Sequence, residues 1–274
     1  MTFAYATVNR FSGLAASAFT FPTGGGPLDA SRSYLCDGRM DAQYVFTAYG
    51  STDVIQILFS SPQSLCAIAI LNHNLAAIGP GVITITASDD GTTFTAVKAA
   101  TTLNTSAPKQ KDSVLQFAAV SKQYWRITIG HGLSSGLAIG ELYGVGTSTQ
   151  LSRGQIDGSG ESEKMITSVV PMQFGAKKTL FFAGPIRAKK LKVQDFTTAQ
   201  RDELLTLWRA VKGNVLSFLW IESYEATASA AALSEQDCIF GKLASAEYQW
   251  SWTDYLLTQP DELLIEQDGR ERGS

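Results

Sequence analysis

The spacing of apolar positions predicts short strands along most of the chain, interrupted once. Val54, Ile55, Ile57, Leu58 and Phe59 predict one strand, and the nearly unbroken apolar run from Leu65 to Leu71 predicts another. Val82 to Ser88 alternates with a period of two and stops at Asp89-Asp90-Gly91, and Phe94 and Val97 resume beyond it, the pattern of a β-hairpin. Val114 to Phe117, Tyr124 to Ile129 and Ile139 to Val145 continue the series. About eight strands thus arrive by residue 146, at the roughly ten-residue spacing of an antiparallel β-sandwich. Within Tyr124-Trp125-Arg126-Ile127 the pair Tyr124 and Ile127 is placed on one face and the pair Trp125 and Arg126 on the other.

The interruption is Val193 to Ile221, which reads as strand, helix, strand. Thr197 and Gln200 have the capping-box spacing, and Asp202 and Glu203 follow where the positive helix end favours acids. Leu204, Leu205, Trp208 and Val211 form one apolar stripe, Arg209 and Lys212 close the last turn, and Gly213 takes the stop position. This predicts a helix over about 197–212, followed by a buried strand from Val215 to Ile221. Further on, Cys238 to Leu243, Tyr248 to Trp252 and Leu263 to Glu266 read as strands. Gly144 to Gly160 holds five glycines and few large apolar residues, so it reads as a linker. The predicted organisation is a β-sandwich over 1–146 with an extended arm up to Pro27, a linker over 147–160, and a β domain with one helix over 161–274.

Composition narrows the class. With 45% hydrophobic and 17% charged residues and 24 glycines, the chain has the profile of an ordered, turn-rich β protein. A net charge of −3 gives no global electrostatic basis for binding nucleic acid or an anionic membrane. Cys36, Cys66 and Cys238 lack pairing or metal-ligand spacing and read as buried thiols of a reducing compartment. The N-terminus lacks the pattern of a signal peptide and no run reaches the ~18 apolar residues of a membrane helix, so synthesis in the cytoplasm without membrane insertion is expected. No Ser/His/Asp set, carboxylate pair, metal cluster or phosphate loop stands out, and neither an enzyme nor a cofactor is expected.

The polar candidates are few. His73 and Asn74 follow the apolar run, where an imidazole between two amides suits a sugar, and Trp125 offers an aromatic face. Lys177, Lys178, Arg187, Lys189 and Lys190 form a basic stretch without an acid, and Tyr248, Trp250 and Trp252 alternate as an aromatic ladder. Both read as interface surface.

Two resemblances follow from these residues. Asp37-Gly38, Ala87-Ser88-Asp89-Asp90-Gly91 with Phe94, Tyr124 to Ile127, and Ile139-Gly140-Glu141-Leu142-Tyr143-Gly144 resemble the landmarks of the galactose-binding-like, discoidin-type jelly roll over roughly 30–146. That resemblance implies a possible host glycan as ligand and a structural calcium held by Asp37, Asp41 and Glu141. Phe196 to Gln200 opening the helix, Phe218 and Trp220 in the next strand, and the three strands after it resemble the β domain of siphophage tail-tip proteins, the distal tail and minor tail proteins, over roughly 160–267. This implies a virion protein at the tail tip. It would form a ring of six copies joining tail tube protein to hub or fibre proteins, with carbohydrate binding by the first domain as the alternative function.

Overall fold

The computed structural model describes residues 3–23, 30–40, 42–47, 51–78, 81–103, 111–131, 136–151, 160–171, 177–191, 198–222, 238–244, 251–253, 256–258 and 263–267. In chain order the elements are β1 (Ala4–Ala6), β2 (Phe19–Thr23), β3 (Tyr44–Val45), β4 (Thr52–Leu71), α1 (Leu75–Ile78), β5 (Val82–Ser88), β6 (Thr95–Thr102), β7 (Ser113–Gly130), β8 (Ala138–Ile139), β9 (Glu141–Val145), β10 (Thr149–Gln150), β11 (Gly160–Pro171), β12 (Lys177–Leu191), α2 (Thr198–Ala210), β13 (Phe218–Ile221), β14 (Cys238–Leu243), β15 (Ser251–Thr253), β16 (Leu256–Thr258) and β17 (Leu263–Gln267). The fold is mainly β, and every strand pair is antiparallel.

β4 and β7 organise the first half. Each joins two strands that the sequence shows separately, because register shifts near Leu58/Gln63 and Leu65/Ala67 let both strands bend and continue. Their halves therefore serve two layers. An outer layer runs β2, the first half of β4, the second half of β7, β5 and β6; a middle layer sets the second half of β4 between β9 and the first half of β7. Ile55, Ile57, Ile83, Ile85, Trp125, Ile127 and Ile129 from the outer layer meet Ile68, Ile70, Leu115, Phe117 and Leu142 from the middle one in a single core. Trp125 and Ile127 thus share a face, correcting the pairing read from sequence. A two-residue period leaves no other choice, and Tyr124 and Arg126 lie on the outside.

The second half is a sheet in the order β10-β1-β13-β14-β17-β12-β11. The arm belongs to it. β1 pairs with β13 in the register Ala4↔Ile221, Tyr5↔Trp220, Ala6↔Leu219, and with β10 on its other side, while β2 pairs with β4. Residues 3–23 of the arm are therefore shared between the two halves, and within the expected linker β10 extends the second sheet. The cause is burial: beside β13, Ala6 meets the middle layer on one face while Phe3 and Tyr5 meet the α2 cluster on the other.

Faces explain the long apolar runs. Ala67, Ala69, Leu71, Val114, Tyr143 and Val145 on the far side of the middle layer pack against Leu219, Ile221, Cys238 and Phe240 of the second sheet. Phe218, Trp220, Ile239 and Ile265 on the other side of that sheet pack against Leu204, Leu207 and Val211 of α2. Both the middle layer and the β13/β14 pair are covered on two faces, so neither can alternate apolar with polar. Tyr143 ties the layers together, its hydroxyl donating to the Ala6 carbonyl at 2.8 Å and its ring meeting Phe240 edge-on at 5.6 Å.

α2 follows the expected helix with three corrections. Its core face is Leu204, Leu207 and Val211, with Trp208 half-buried and Leu205 at the margin. Asp202 and Glu203 fall in the second turn because the helix begins at Thr198, and Thr197 lies outside the described residues. The exposed Val215 and Leu216 stay in the turn, so the following strand begins only at Phe218. Gly213 does close the helix, at φ 69°, with its amide donating to the Trp208 carbonyl at 2.9 Å. Cys36 and Cys238 are buried and Cys66 is half-buried.

The arm gives a direct test. Phe3→Ala removes a ring that stacks 5.4 Å from Trp220 and should cost about 3–5 kcal/mol in urea unfolding of the full chain. An arm lying free on the surface would make the same substitution nearly silent. Leu207→Ala should cost about 2–5 kcal/mol and exceed the effect of Trp208→Ala, because Leu207 is 1% exposed whereas Trp208 is only partly covered.

Candidate functional site

The polar residues of the first half collect where β4 ends. Asn72 adopts φ 50°, a left-handed conformation that asparagine tolerates, and its amide donates to Asp112 Oδ1 at 2.9 Å while its side chain donates to the Met40 carbonyl. Gly140 is required here. A Cβ on it would stand 2.9 Å from Asn72 Cβ and 3.1 Å from the Met40 oxygen.

His73 is 1% exposed. The Leu75 amide donates to Nδ1 at 3.3 Å, so the ring carries its proton on Nε2 and donates it to Ser113 Oγ at 2.9 Å. Asn74 is equally engaged, donating to the Gly136 carbonyl at 2.9 Å and accepting from the Ala138 amide at 2.8 Å. Trp125 is fully buried, donates to the Lys122 carbonyl and stacks near Phe117. The three glycan candidates are therefore fastenings of the sandwich, and none offers a face to a sugar. At the end of β4 the polar groups of His73 and Asn74 are taken by nearby backbone groups, whereas Trp125 is enclosed in the core.

Glu141 is the most perturbed acid of the region. It is fully buried, its Oε1 accepts from Asn9 Nδ2 at 2.7 Å, its Oε2 accepts from the Gly38 amide at 3.1 Å, and burial is the main force pushing its pKa up to about 9. Of the calcium candidates, Asp37 is exposed and accepts from the Arg39 amide, while Asp41 lies outside the described residues. Among the described residues no group of three acids, histidines or cysteines is assembled, and the Glu141 carboxyl that calcium would need is already bonded to two donors. Asn9, from the arm, is the partner that sequence reasoning missed. It is 132 residues away from Glu141 along the chain, and its side chain also bonds the Leu142 carbonyl and the Gly144 amide.

A second buried pair sits where β4 starts. Asp53 Oδ2 and His131 Nε2 are 2.7 Å apart, both side chains are 1% exposed, and burial raises the Asp53 pKa. The pair joins the start of β4 to the end of β7.

The outer layer presents a different surface. Thr20, Gln56, Arg126 and Thr86 stand side by side across four paired strands. The Arg126 guanidinium lies over the Phe94 ring at 3.7 Å and donates to Gln56 Oε1 at 2.7 Å, while Arg126 Nε and Thr86 Oγ1 have no hydrogen-bond partner. Period-two alternation marks Gln56, Arg126 and Thr86 as outward, but only the register shows that they are neighbours.

Of the interface candidates, Lys189 is corrected. It is 1% exposed and pairs with Glu222 at 2.9 Å, because it stands beside Ile265 in the interior of the second sheet. Lys177, Lys178, Arg187, Lys190 and Trp252 are described by backbone alone, and Tyr248 and Trp250 lie outside the described residues.

With this geometry in hand, comparison with known proteins adds the following. No family model and no curated protein matches the chain. Among solved structures, a pectin-binding carbohydrate-binding module is 18% identical with a TM-score of 0.36, covering 46% of this chain and 88% of its own. The family-32 module of AlyQ, in complex with 4,5-unsaturated mannuronic acid, is 18% identical with a TM-score of 0.37, covering 47% and 95%. A Clostridium perfringens family-32 module in complex with GalNAc-β-1,3-galactose is 12% identical with a TM-score of 0.38, covering 48% and 98%.

Glu141 yields a pH prediction. Its folded pKa of about 9 lies above the ordinary 4.5, so the folded chain holds a proton that the unfolded chain releases, and stability falls as pH rises from about 4.5 to about 9. The loss is on the order of a few kcal/mol across that window. Glu141→Gln should flatten this slope in urea unfolding. The variant should be weaker than the parent near pH 5, where its amide faces the Gly38 N–H, and stronger near pH 9.

Proposed function

We propose that the chain is a structural component of a multi-subunit assembly, and that the assembly is the tail tip of a bacteriophage, as the resemblance of the second half implies. The supporting observation is the β11–β12 ribbon. β12 pairs with β17 only from Ala188 to Leu191, whereas its pairing with β11 continues outward from Lys164↔Ile186 to Pro171↔Lys177. Among the described residues, the two strands therefore pair only with each other beyond the sheet, for roughly 20 Å. A lone two-stranded ribbon is marginal in water, and open strand edges are templates for pairing. This ribbon is also rich in Ile166, Val169, Val170, Leu180, Phe181 and Phe182, residues that favour cover by another chain. A heterologous contact between such an arm and the next copy closes into a ring when the rotation permits.

A second reading is binding of a host-surface glycan by the first half. The outer-layer row of Gln56, Arg126 and Thr86 beside Phe94 favours it, since amide, guanidinium, hydroxyl and ring together suit a sugar. The test of the first reading is electron microscopy of the particle that carries the chain. Several copies are expected around the tube axis, and replacing residues 165–184 by a short turn should abolish incorporation while the rest of the chain stays folded. A single copy, or a position on a fibre away from the axis, overturns the ring.

A further inference from the structure

We propose that the outer face of the first half binds a carboxylated saccharide, with the Arg126 guanidinium receiving the carboxylate. The inference rests on the glycan reading and gives it a place and a charge. Arg126 is held on two sides: its plane lies on Phe94 and one edge donates to Gln56. It has no carboxylate partner among the described residues. The outward positions of the paired strands are Thr52, Val54, Gln56 and Leu58 on β4, Tyr124, Arg126, Thr128 and Gly130 on β7, and Val82, Thr84, Thr86 and Ser88 on β5, without one acid.

The acids nearest along the chain are occupied. Asp89 pairs with Lys122, Asp90 accepts from Ser88, Thr92 and Thr93 within its own turn, and Asp53 faces the core and His131. Among the described residues, Arg126 thus has no counter-charge on these three strands. A guanidinium so oriented matches a planar carboxylate far better than a mobile lysine would. What surrounds it decides between carboxylate sources. Thr84, Thr128 and Gln56 supply short donors and acceptors on the outward side of the paired strands, and the partly exposed Tyr124 and Phe94 stand beside them, a mixture of polar and aromatic groups that suits a sugar. An acidic peptide strand would want a free sheet edge, whereas this row lies across the interior of the layer.

The experiment is calorimetric titration of the full chain with trigalacturonic acid, galactotriose and sodium acetate, repeated for Arg126→Gln and Phe94→Leu after thermal melts establish that each variant folds. Trigalacturonic acid is expected to bind, and Arg126→Gln to weaken it by about tenfold or more. Phe94→Leu, which loosens the guanidinium without removing it, should produce a smaller loss and keeps the test decisive if the arginine variant does not fold. Equal binding of the acidic sugar by Arg126→Gln overturns the inference. So does acetate binding as tightly as the saccharide. Binding of galactotriose that Arg126→Gln leaves unchanged, without binding of the acid, preserves the glycan reading and removes this site. If no saccharide binds, both fall.

Discussion

The middle layer has to be dry on both sides, and the rest of the architecture answers that demand. Ile68, Ile70 and Leu142 point one way into the sandwich core, while Ala67, Ala69, Leu71, Tyr143 and Val145 point the other way. A sandwich half standing alone would leave the second set in water. The second sheet covers it with Leu219, Ile221, Cys238 and Phe240, and that sheet in turn must hide Phe218, Trp220 and Ile239, for which α2 supplies Leu204, Leu207 and Val211. The order of layers follows from one rule, that an apolar face must meet another. Small residues at Ala67 and Ala69 leave room on the middle layer, and the large Tyr143 and Phe240 fill it from either side.

Polar groups are spent mainly on joining these layers. Asn9 fastens the arm to β9, Tyr143 reaches the Ala6 carbonyl, and Asn72, His73 and Asn74 hold the loops where β4 stops. Glu141 fits the same use, since a carboxyl so deeply buried and kept protonated is a hydrogen-bonding fixture rather than a charge. Arg126 is the exception, because its two supports orient it without neutralising it.

Much of the fold was legible in the sequence. Period-two alternation located β5 and its hairpin with β6, and stripe and stop together located α2. Three things were not. Local pattern separates Phe59 from Leu65 because polar residues intervene, and it cannot show that a bent strand carries on through them. The pairing of Ala4–Ala6 with β13 joins positions more than two hundred residues apart, and a three-residue strand of small and aromatic residues has no periodicity to betray it. The site residues failed for a related reason. His73 was attractive as an imidazole following an apolar run and Trp125 as an aromatic face, yet both are buried and bonded, His73 to Ser113 Oγ and Trp125 to the Lys122 carbonyl. Arg126 matters through neighbours brought from β4 and β5, and register is a property of the whole sheet.

The place of β1 has a consequence for synthesis on the ribosome. The first half is complete once β9 has emerged, yet the chain that covers its far face, and the strand that Ala4–Ala6 must join, are still untranslated. At roughly 5–20 residues per second, the second sheet is finished several seconds to some twenty seconds later. During that interval the leading end of the polypeptide has no strand to join, and the face bearing Leu71, Tyr143 and Val145 is open to whatever else the cell contains. The two alanines on that face limit how adhesive it is while it waits.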